Sequence, residues 1–422
     1  MKTSRKPHHF KSATPPATRM KNARPAALSF IFITLLIDIT GLGLIVPIMP
    51  KLISQLIHGN LSQASEYGGW LTFAYALMQF IFAPVLGNLS DRFGRRPVIL
   101  LALLGFGVNY IFMAFAPTVG WLFVGRILSG ITGASFTAAS AYIADISTPE
   151  KRAQNFGIIG AAFGVGFIIG PVLGGILGQY GVQLPFLASA GLSLLNCLYG
   201  YFVLPESLSP ENRRSFDWKR ASPFGSLKHL RKFPAIAGLV LSLVLIYIGG
   251  HAVQSTWTYY TMEKFSWNEA WVGYSLGAMG IMAAIVQGGL IRYIIPAIGQ
   301  ERGVFIGLLL YGAGFFLFAV VNQSWLLFVS LIPYSLGGIA GPSLQGIISN
   351  QVPDNQQGEL QGGLTSLISA TSIVGPPLMT SLFAYFTTKN APVHFPGAPF
   401  ILGAVLMLLS AGLTARSFKR NS

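Results

Sequence analysis

Apolar residues in this chain are gathered into a dozen runs of about twenty, separated by short polar turns. The pattern predicts helices over residues 27–49, 69–87, 97–116, 119–143, 155–177, 184–203, 234–256, 270–292, 303–320, 324–346, 360–386 and 398–415. A helix rising ~1.5 Å per residue needs about twenty residues to cross a ~30 Å hydrocarbon core. The expected fold class is therefore all-α integral membrane, with twelve transmembrane helices. The longest hydrophilic interruption, residues 204–233, divides them six and six. The expected organisation is a basic tail (1–26), a six-helix bundle (27–203), a linker (204–233), a second six-helix bundle (234–416) and a short tail (417–422). No second globular domain remains, so the function must lie among the spans.

Composition sharpens this. The chain is 52% hydrophobic and 10% charged, against roughly a quarter charged in soluble domains, which excludes an ordinary soluble enzyme. The net charge of +15 resembles a phosphate-binding footprint, but its placement points elsewhere. Of the 28 Lys and Arg residues, 24 fall in the tails and loops of one side. Lys51, Lys264 and Lys389 fall on the other, and Arg126 lies inside a span. The positive-inside rule puts the richer side, with both termini, in the cytoplasm. The charge is thus explained by topology, and no nucleic-acid partner is expected. No cleavable signal precedes the first span. Cys197 is the single cysteine, so no intrachain disulfide can form.

The two halves carry matching punctuation at an offset near 205 residues. Gly170-Pro171 falls on Gly375-Pro376, Gly94 on Gly299, Gly133 on Gly338, and Asp145 on Asn350. Parallel six-helix repeats are expected of a transporter that rocks two bundles about a site near the bilayer midplane.

The turn after the second span reads Gly87-Asn88-Leu89-Ser90-Asp91-Arg92-Phe93-Gly94-Arg95-Arg96. Gly87 permits close helix approach, and Gly94 can adopt positive φ. Asp91 is expected against the positive end of the eleventh span, near Gly358 to Gly363, with the arginines pairing with Asp145 or Glu150. Such contacts would form only when the cytoplasmic side is closed, making Gly87, Asp91, Arg92, Gly94, Arg95, Arg96 and Asp145 a cytoplasmic gate. This turn resembles the loop signature of the major facilitator superfamily, G-x-L-a-D-r-x-G-r-[RK].

Two further segments follow in that family's order. Arg126 to Gly133 resembles its buried-arginine motif. Gly160, Gly164, Gly166, Gly170-Pro171 and Gly174-Gly175 resemble the motif found mainly in its antiporter branch, which points to export. More widely, residues 30 to 415 resemble bacterial tetracycline efflux pumps of the twelve-span drug:proton antiporter group. The likeness rests on Asp38 to Leu44, Pro47 to Pro50, Tyr75 to Phe80, Ser90 to Pro97, Ala141 to Ile146 and Gln356 to Gly362.

Asp38 is the one acid deep within a predicted span, ~16 Å from the cytoplasmic edge. Arg126 lies ~10 Å from the outer face and ~20 Å from the inner one. Asp38 is expected to carry the coupling proton with Arg126 tuning it, or the two form a static structural pair. The resemblance also exposes departures. Where the tetracycline pumps carry intramembrane aspartates in spans 3 and 9, this chain has Asn109 and Tyr311. Their span-8 histidine falls on Ala283, while the nearby Gln287 is kept. Tetracycline–metal chelates are therefore not carried over as substrates, and coupling is expected to rest on Asp38 alone. Pocket candidates are Gln79, Asn109, Gln254, Gln287, Tyr311 and Gln345, with His251, Trp257 and Tyr334 as further polar or aromatic residues near mid-span. Such a lining suits an amphipathic aromatic molecule.

No metal constellation, Gly-x-Ser-x-Gly elbow or phosphate loop is present in the sequence, so neither enzyme chemistry nor direct ATP drive is expected. No cofactor is expected, only a proton gradient. The leading expectation is a monomeric inner-membrane exporter exchanging protons for a small amphipathic solute. A uniporter, a proton symporter and a transport-incompetent sensor are the alternatives.

Overall fold

The computed structural model describes residues 18–133, 136–148, 152–216, 236–353 and 356–421, with side chains from residue 28 onward except at 152–154, 158, 358, 359, 420 and 421. Among them twelve helices are long and apolar enough to cross a membrane: α1 (Leu28–Ile57), α2 (Leu61–Phe93), α3 (Arg95–Ala114), α4 (Val119–Ile146), α5 (Asn155–Gly178), α6 (Gln183–Val203), α7 (Ala237–Phe265), α8 (Glu269–Ile298), α9 (Gln300–Val320), α10 (Ser324–Asn350), α11 (Leu360–Thr387) and α12 (Ala398–Lys419). No strand occurs among the described residues.

Most helices overrun the apolar runs that predict them. α2 spans 33 residues, because the polar turns Leu61 to Gly68 and Asn88 to Phe93 are themselves helical. The helix of α1 begins at Thr18, inside the expected tail, and that of α12 continues to Asn421. Hydropathy marks where a helix meets lipid, whereas its end is set by caps and breakers. Asn60 supplies such a cap, its side chain accepting from Gln63 N at 3.0 Å while Gln63 reaches back to Asn60 N. Of the expected linker, residues 217–233 lie outside the described residues, as do Glu150 and the first seventeen residues of the tail.

Small residues set the packing. Gly166, Gly170 and Gly174, four apart on α5, press against α1. A Cβ on Gly170 would stand 2.8 Å from Gly43 Cα, and one on Gly174 2.7 Å from Leu44 Cα. Between the halves, α5 packs on α8 and α2 on α11, the arrangement a two-fold repeat produces. Backbone conformation repeats as well. Gly94 and Gly299 share positive φ (102° and 83°) at the turns after α2 and α8. His58 and Ser266 share left-handed φ (50° and 53°) after α1 and α7, and Asn60 and Asn268 then cap α2 and α8. This second correspondence has an offset of 208 residues.

The halves meet tightly on one face and part on the other. Away from the α2–α3 turn, Gly68 is filled by the Tyr259 hydroxyl, Gly69 by Thr380, and Gly273 by Pro171. Toward the α2–α3 turn, Gly157, Gly160 and Gly164 of α5 and Gly288 and Gly289 of α8 have nothing within 4 Å of a built Cβ. The structure is thus closed on the face opposite the basic turn and open on the basic face.

Candidate functional site

At the basic face, Arg95 organises the turn. Its Nη1 donates to Ser90 Oγ at 2.6 Å and pairs with Asp91 Oδ1 at 2.6 Å, while Nε pairs with Asp145 Oδ2 at 3.1 Å. One nearly buried guanidinium therefore ties the end of α2, the start of α3 and the end of α4. Arg96 Nη2 donates to Tyr201 O at 2.6 Å, and Arg92 lies 5.0 Å over the Phe93 ring. The expected Arg–Asp145 pair is present, but with the basic face open: it lies within the first half, so it does not depend on closure there, contrary to the expectation. The expected contact of Asp91 with the start of α11 is absent: Asp91 pairs with Arg95, and its carbonyl accepts from Arg214 N at 3.0 Å. The reason is the separation of the halves on this face.

A residue from the linker completes the turn. Glu206 accepts from Arg95 N at 2.9 Å, Arg96 N at 3.3 Å, and Ser207 N and Leu208 N at 3.0 Å. It caps α3, a helix whose N-cap residue, Gly94, has no side chain to do so. Gly94 combines φ 102° with ψ 159°, a region open essentially to glycine, and a Cβ there would run into the Glu206 carboxylate. The sequence signal for Glu206 was present, an acid directly after Pro205 at the end of an apolar run, but nothing in the order of residues links it to a turn 111 positions earlier. Glu206→Ala is expected to lower the unfolding free energy by about 1 kcal/mol, the usual worth of a helix cap, measurable as a fall in melting temperature of the purified protein.

Near mid-membrane, α1, α2, α3 and α4 bring Asp38, Tyr75, Tyr110 and Arg126 together. Both tyrosines are within electrostatic reach of Asp38 and of Arg126. Asp38 and Arg126 themselves form no ion pair. Asp38 Oδ1, Tyr110 Oη and Arg126 Nε are shut off from solvent with no hydrogen-bond partner. The static pair expected as one reading is thus absent. Tyr75 is in turn held by Gln79, whose Nε2 lies 3.3 Å from the Tyr75 hydroxyl and 3.4 Å from Gly133 O. The opposite half contributes Tyr259, which also lies within reach of Arg126.

In the second half, aromatic rings and amides cluster together. Gln345 Nε2 donates to the Tyr247 hydroxyl at 3.1 Å. Tyr311 is half-buried, with ring centroids 5.1 Å from Tyr334 and 5.9 Å from Phe315. Gln254 is exposed on α7, seven residues and two turns beyond Tyr247, hence on the same face. Gln287 is exposed within a π-helical stretch, Ile285–Leu290, that widens α8. Asn109 does not belong to this cluster. It is buried, and its Nδ2 donates to Gly125 O at 3.0 Å and Ser129 Oγ at 2.6 Å, clamping α3 to α4. Trp257 is likewise spent on packing, its Nε1 donating to Ser275 Oγ at 2.9 Å. His251 is buried against Gly375 of α11, with Nε2 unpartnered. An apolar cleft of about 600 Å³ beside Trp70, Val374, Pro377 and Tyr385 lies along the α2–α11 seam, a separate feature from the polar cluster.

Comparison with known proteins agrees with this architecture. Residues 31–299 and 290–422 match the Major Facilitator Superfamily. The chain is 39% identical over 383 residues to the tetracycline resistance protein, class C, of Escherichia coli, covering 91% of this chain and 95% of that one. It is 35% identical over 379 residues to the class B protein of Escherichia coli, covering 89% and 92%. With multidrug resistance protein 2 of Bacillus subtilis the identity is 29%, over 92% and 93% of the two chains. The crystal structure of a bacterial homolog to the human lysosomal transporter Spinster, inward-facing and unoccupied, shares the fold with a TM-score of 0.73 at 16% identity, over 95% of this chain and 98% of that one. Sequence match along the length and the twelve helices agree: this multi-pass membrane protein belongs to the Major Facilitator Superfamily and is similar to the tetracycline efflux pumps within it.

Proposed function

We propose that the protein is a proton-driven exporter of a small amphipathic aromatic solute, working by alternating access in the bacterial inner membrane with both termini in the cytoplasm. The observation that carries this reading is Asp38: a carboxylate deep in α1 with no ion pair, Oδ1 unpartnered, within electrostatic reach of Tyr75 and Tyr110. A charge at that depth is costly, so its proton occupancy can be exchanged against the presence of a ligand. Tyr75 and Tyr110 hold their hydroxyls near both Asp38 and Arg126, so each can relay a change in charge at one to the other. The cluster of Tyr247, Gln254, Gln287, Tyr311 and Gln345 offers ring faces for an aromatic body and amides to orient polar groups. The basic face, open in this structure, is where solute would enter from the cytoplasm.

Asn109 and Tyr311, where the tetracycline pumps have aspartates, are a helix clamp and a stacked ring. This supports an exporter whose coupling rests on Asp38 and whose ligand is other than a tetracycline–metal chelate. The reading takes the protein as a monomer, and neither a cofactor nor nucleic acid enters it.

The test is uptake of cationic, neutral and tetracycline-type aromatic compounds into inverted vesicles with an imposed gradient, acid inside. Accumulation of an amphipathic aromatic compound that a protonophore abolishes is the expected result. Flux indifferent to the gradient would make the protein a uniporter, and accumulation in the direction of the protons would make it a symporter.

A further inference from the structure

Lys51 and Glu269 join the two halves at the face opposite the basic turn. Lys51 Nζ lies 2.8 Å from Glu269 Oε1, and the glutamate side chain is only 9% exposed. Lys51 belongs to the short helical end of α1, Met49–Ile57, and Glu269 to the first turn of α8. The pair therefore bridges the first half to the second. The other ion pairs among described residues stay within a half: Arg95 with Asp91 and Asp145 in the first, His394 with Glu263 in the second.

The setting of Glu269 is built for closure. Gly175 of α5 lies under its backbone, where a Cβ would stand 3.0 Å from the Glu269 carbonyl carbon. Gly178 lies under its side chain, where a Cβ would stand 3.5 Å from Glu269 Cβ. The last turn of the glycine-rich segment of α5 thus forms a seat into which the start of α8 fits, and the carboxylate faces Lys51 beside it. Lys51 is also one of the three Lys or Arg residues on the side that the charge bias leaves poor in cations. Lys264, another of them, donates to Ala319 O at 2.9 Å at the end of α9. Lys51 has its own task in the ion pair.

We propose that the Lys51–Glu269 ion pair is a latch that holds the outer side shut and must break each time the halves part there. Once the halves separate, Glu269 loses its cation and its glycine seat together. A carboxylate buried beside one cation is poorly stabilised without it, so the closed state is favoured by the pair and by the seat jointly. The proposal rests on the alternating-access reading, and its test reads conformation rather than transport.

The experiment uses the full-length protein in lipid nanodiscs, with Cys197→Ser removing the native thiol and Ser62→Cys as reporter. Ser62 is buried, and its Oγ donates to Ala384 O at 2.8 Å across the α2–α11 seam, whereas Glu269 sits on the α5–α8 contact. A reporter there responds to parting of the halves and not to a local change at α8. Lys51→Gln and Glu269→Gln are each expected to raise its maleimide labelling rate about tenfold, and the double substitution to raise it no further than either alone. Lys389→Gln and Glu263→Gln are expected to leave the rate unchanged, which guards against general loosening. Unchanged labelling in both single variants would overturn the latch, and so would single effects that multiply in the double variant. Since labelling needs neither substrate nor gradient, its outcome stands apart from the vesicle experiment.

Discussion

Asp38→Asn is expected to abolish gradient-driven uptake in inverted vesicles, by about 100-fold or more, the scale on which positioned proton-transfer groups act. The substitution is nearly isosteric and removes only the capacity to carry a proton. Asp38 makes no ion pair, and its Oδ1 makes no hydrogen bond, so neither is lost in the variant. The variant should therefore fold, melt at an unchanged temperature and still exchange labelled for unlabelled solute at equal pH. Coupled uptake should be lost while exchange survives. If coupled uptake persists at the native level, the proton is carried elsewhere, and His251, buried in α7 with its Nε2 unpartnered, becomes the first residue to examine.

Gly174→Val is expected to destabilise the first half by about 1–3 kcal/mol or more, the cost of inserting methyl groups into a packed site. A Cβ on Gly174 would stand 2.6 Å from the Leu44 carbonyl carbon and 2.7 Å from its Cα. The obstacle is backbone, so no rotamer change relieves it, and α1 must move away from α5. Gly164→Ala, ten residues earlier on the same helix, meets nothing within 4 Å and should be tolerated in the basic-face-open state. Melting curves of the two purified variants would check the contrast: a clear fall for Gly174→Val and little change for Gly164→Ala. Equal behaviour would mean that the tight α1–α5 contact is not what these glycines serve.

The legibility of the site follows from the reach of each interaction along the chain. The turn after α2 is readable because Ser90, Asp91, Gly94 and Arg95 interact within a few residues of one another. The repeat was readable from Gly94 and Gly299, since positive φ at a one-residue turn selects glycine, whereas His58 and Ser266, which share a left-handed conformation, carry no residue identity that would pair them. Asp38 and Arg126 could be placed at similar depth from helix rise alone. That Tyr75 and Tyr110 would stand beside both was not readable, because depth fixes height in the membrane and leaves rotation about the helix axis open. Asn109 was misplaced for the same reason. A mid-span amide satisfies its donor either toward a cavity or toward the next helix, and only the position of Gly125 and Ser129 on α4 settles which.

By itself, the sequence determined the membrane-spanning fold with its twelve helices, the family resemblance, and the polar turn after α2 whose residues interact locally. The helices and the turn follow from local physics: the apolar length needed to cross lipid, the cost of charge there, and the backbone freedom of glycine. The tertiary structure decided what depends on two helices distant in sequence meeting at a particular rotation. It set Glu206 as the cap of α3 and kept Asp91 away from α11. It separated Asp38 from Arg126 and brought Lys51 to Glu269. In a membrane the apolar effect does little to distinguish one helix face from another, so close glycine contacts and a few polar contacts select the arrangement, and these exist only once the helices are packed.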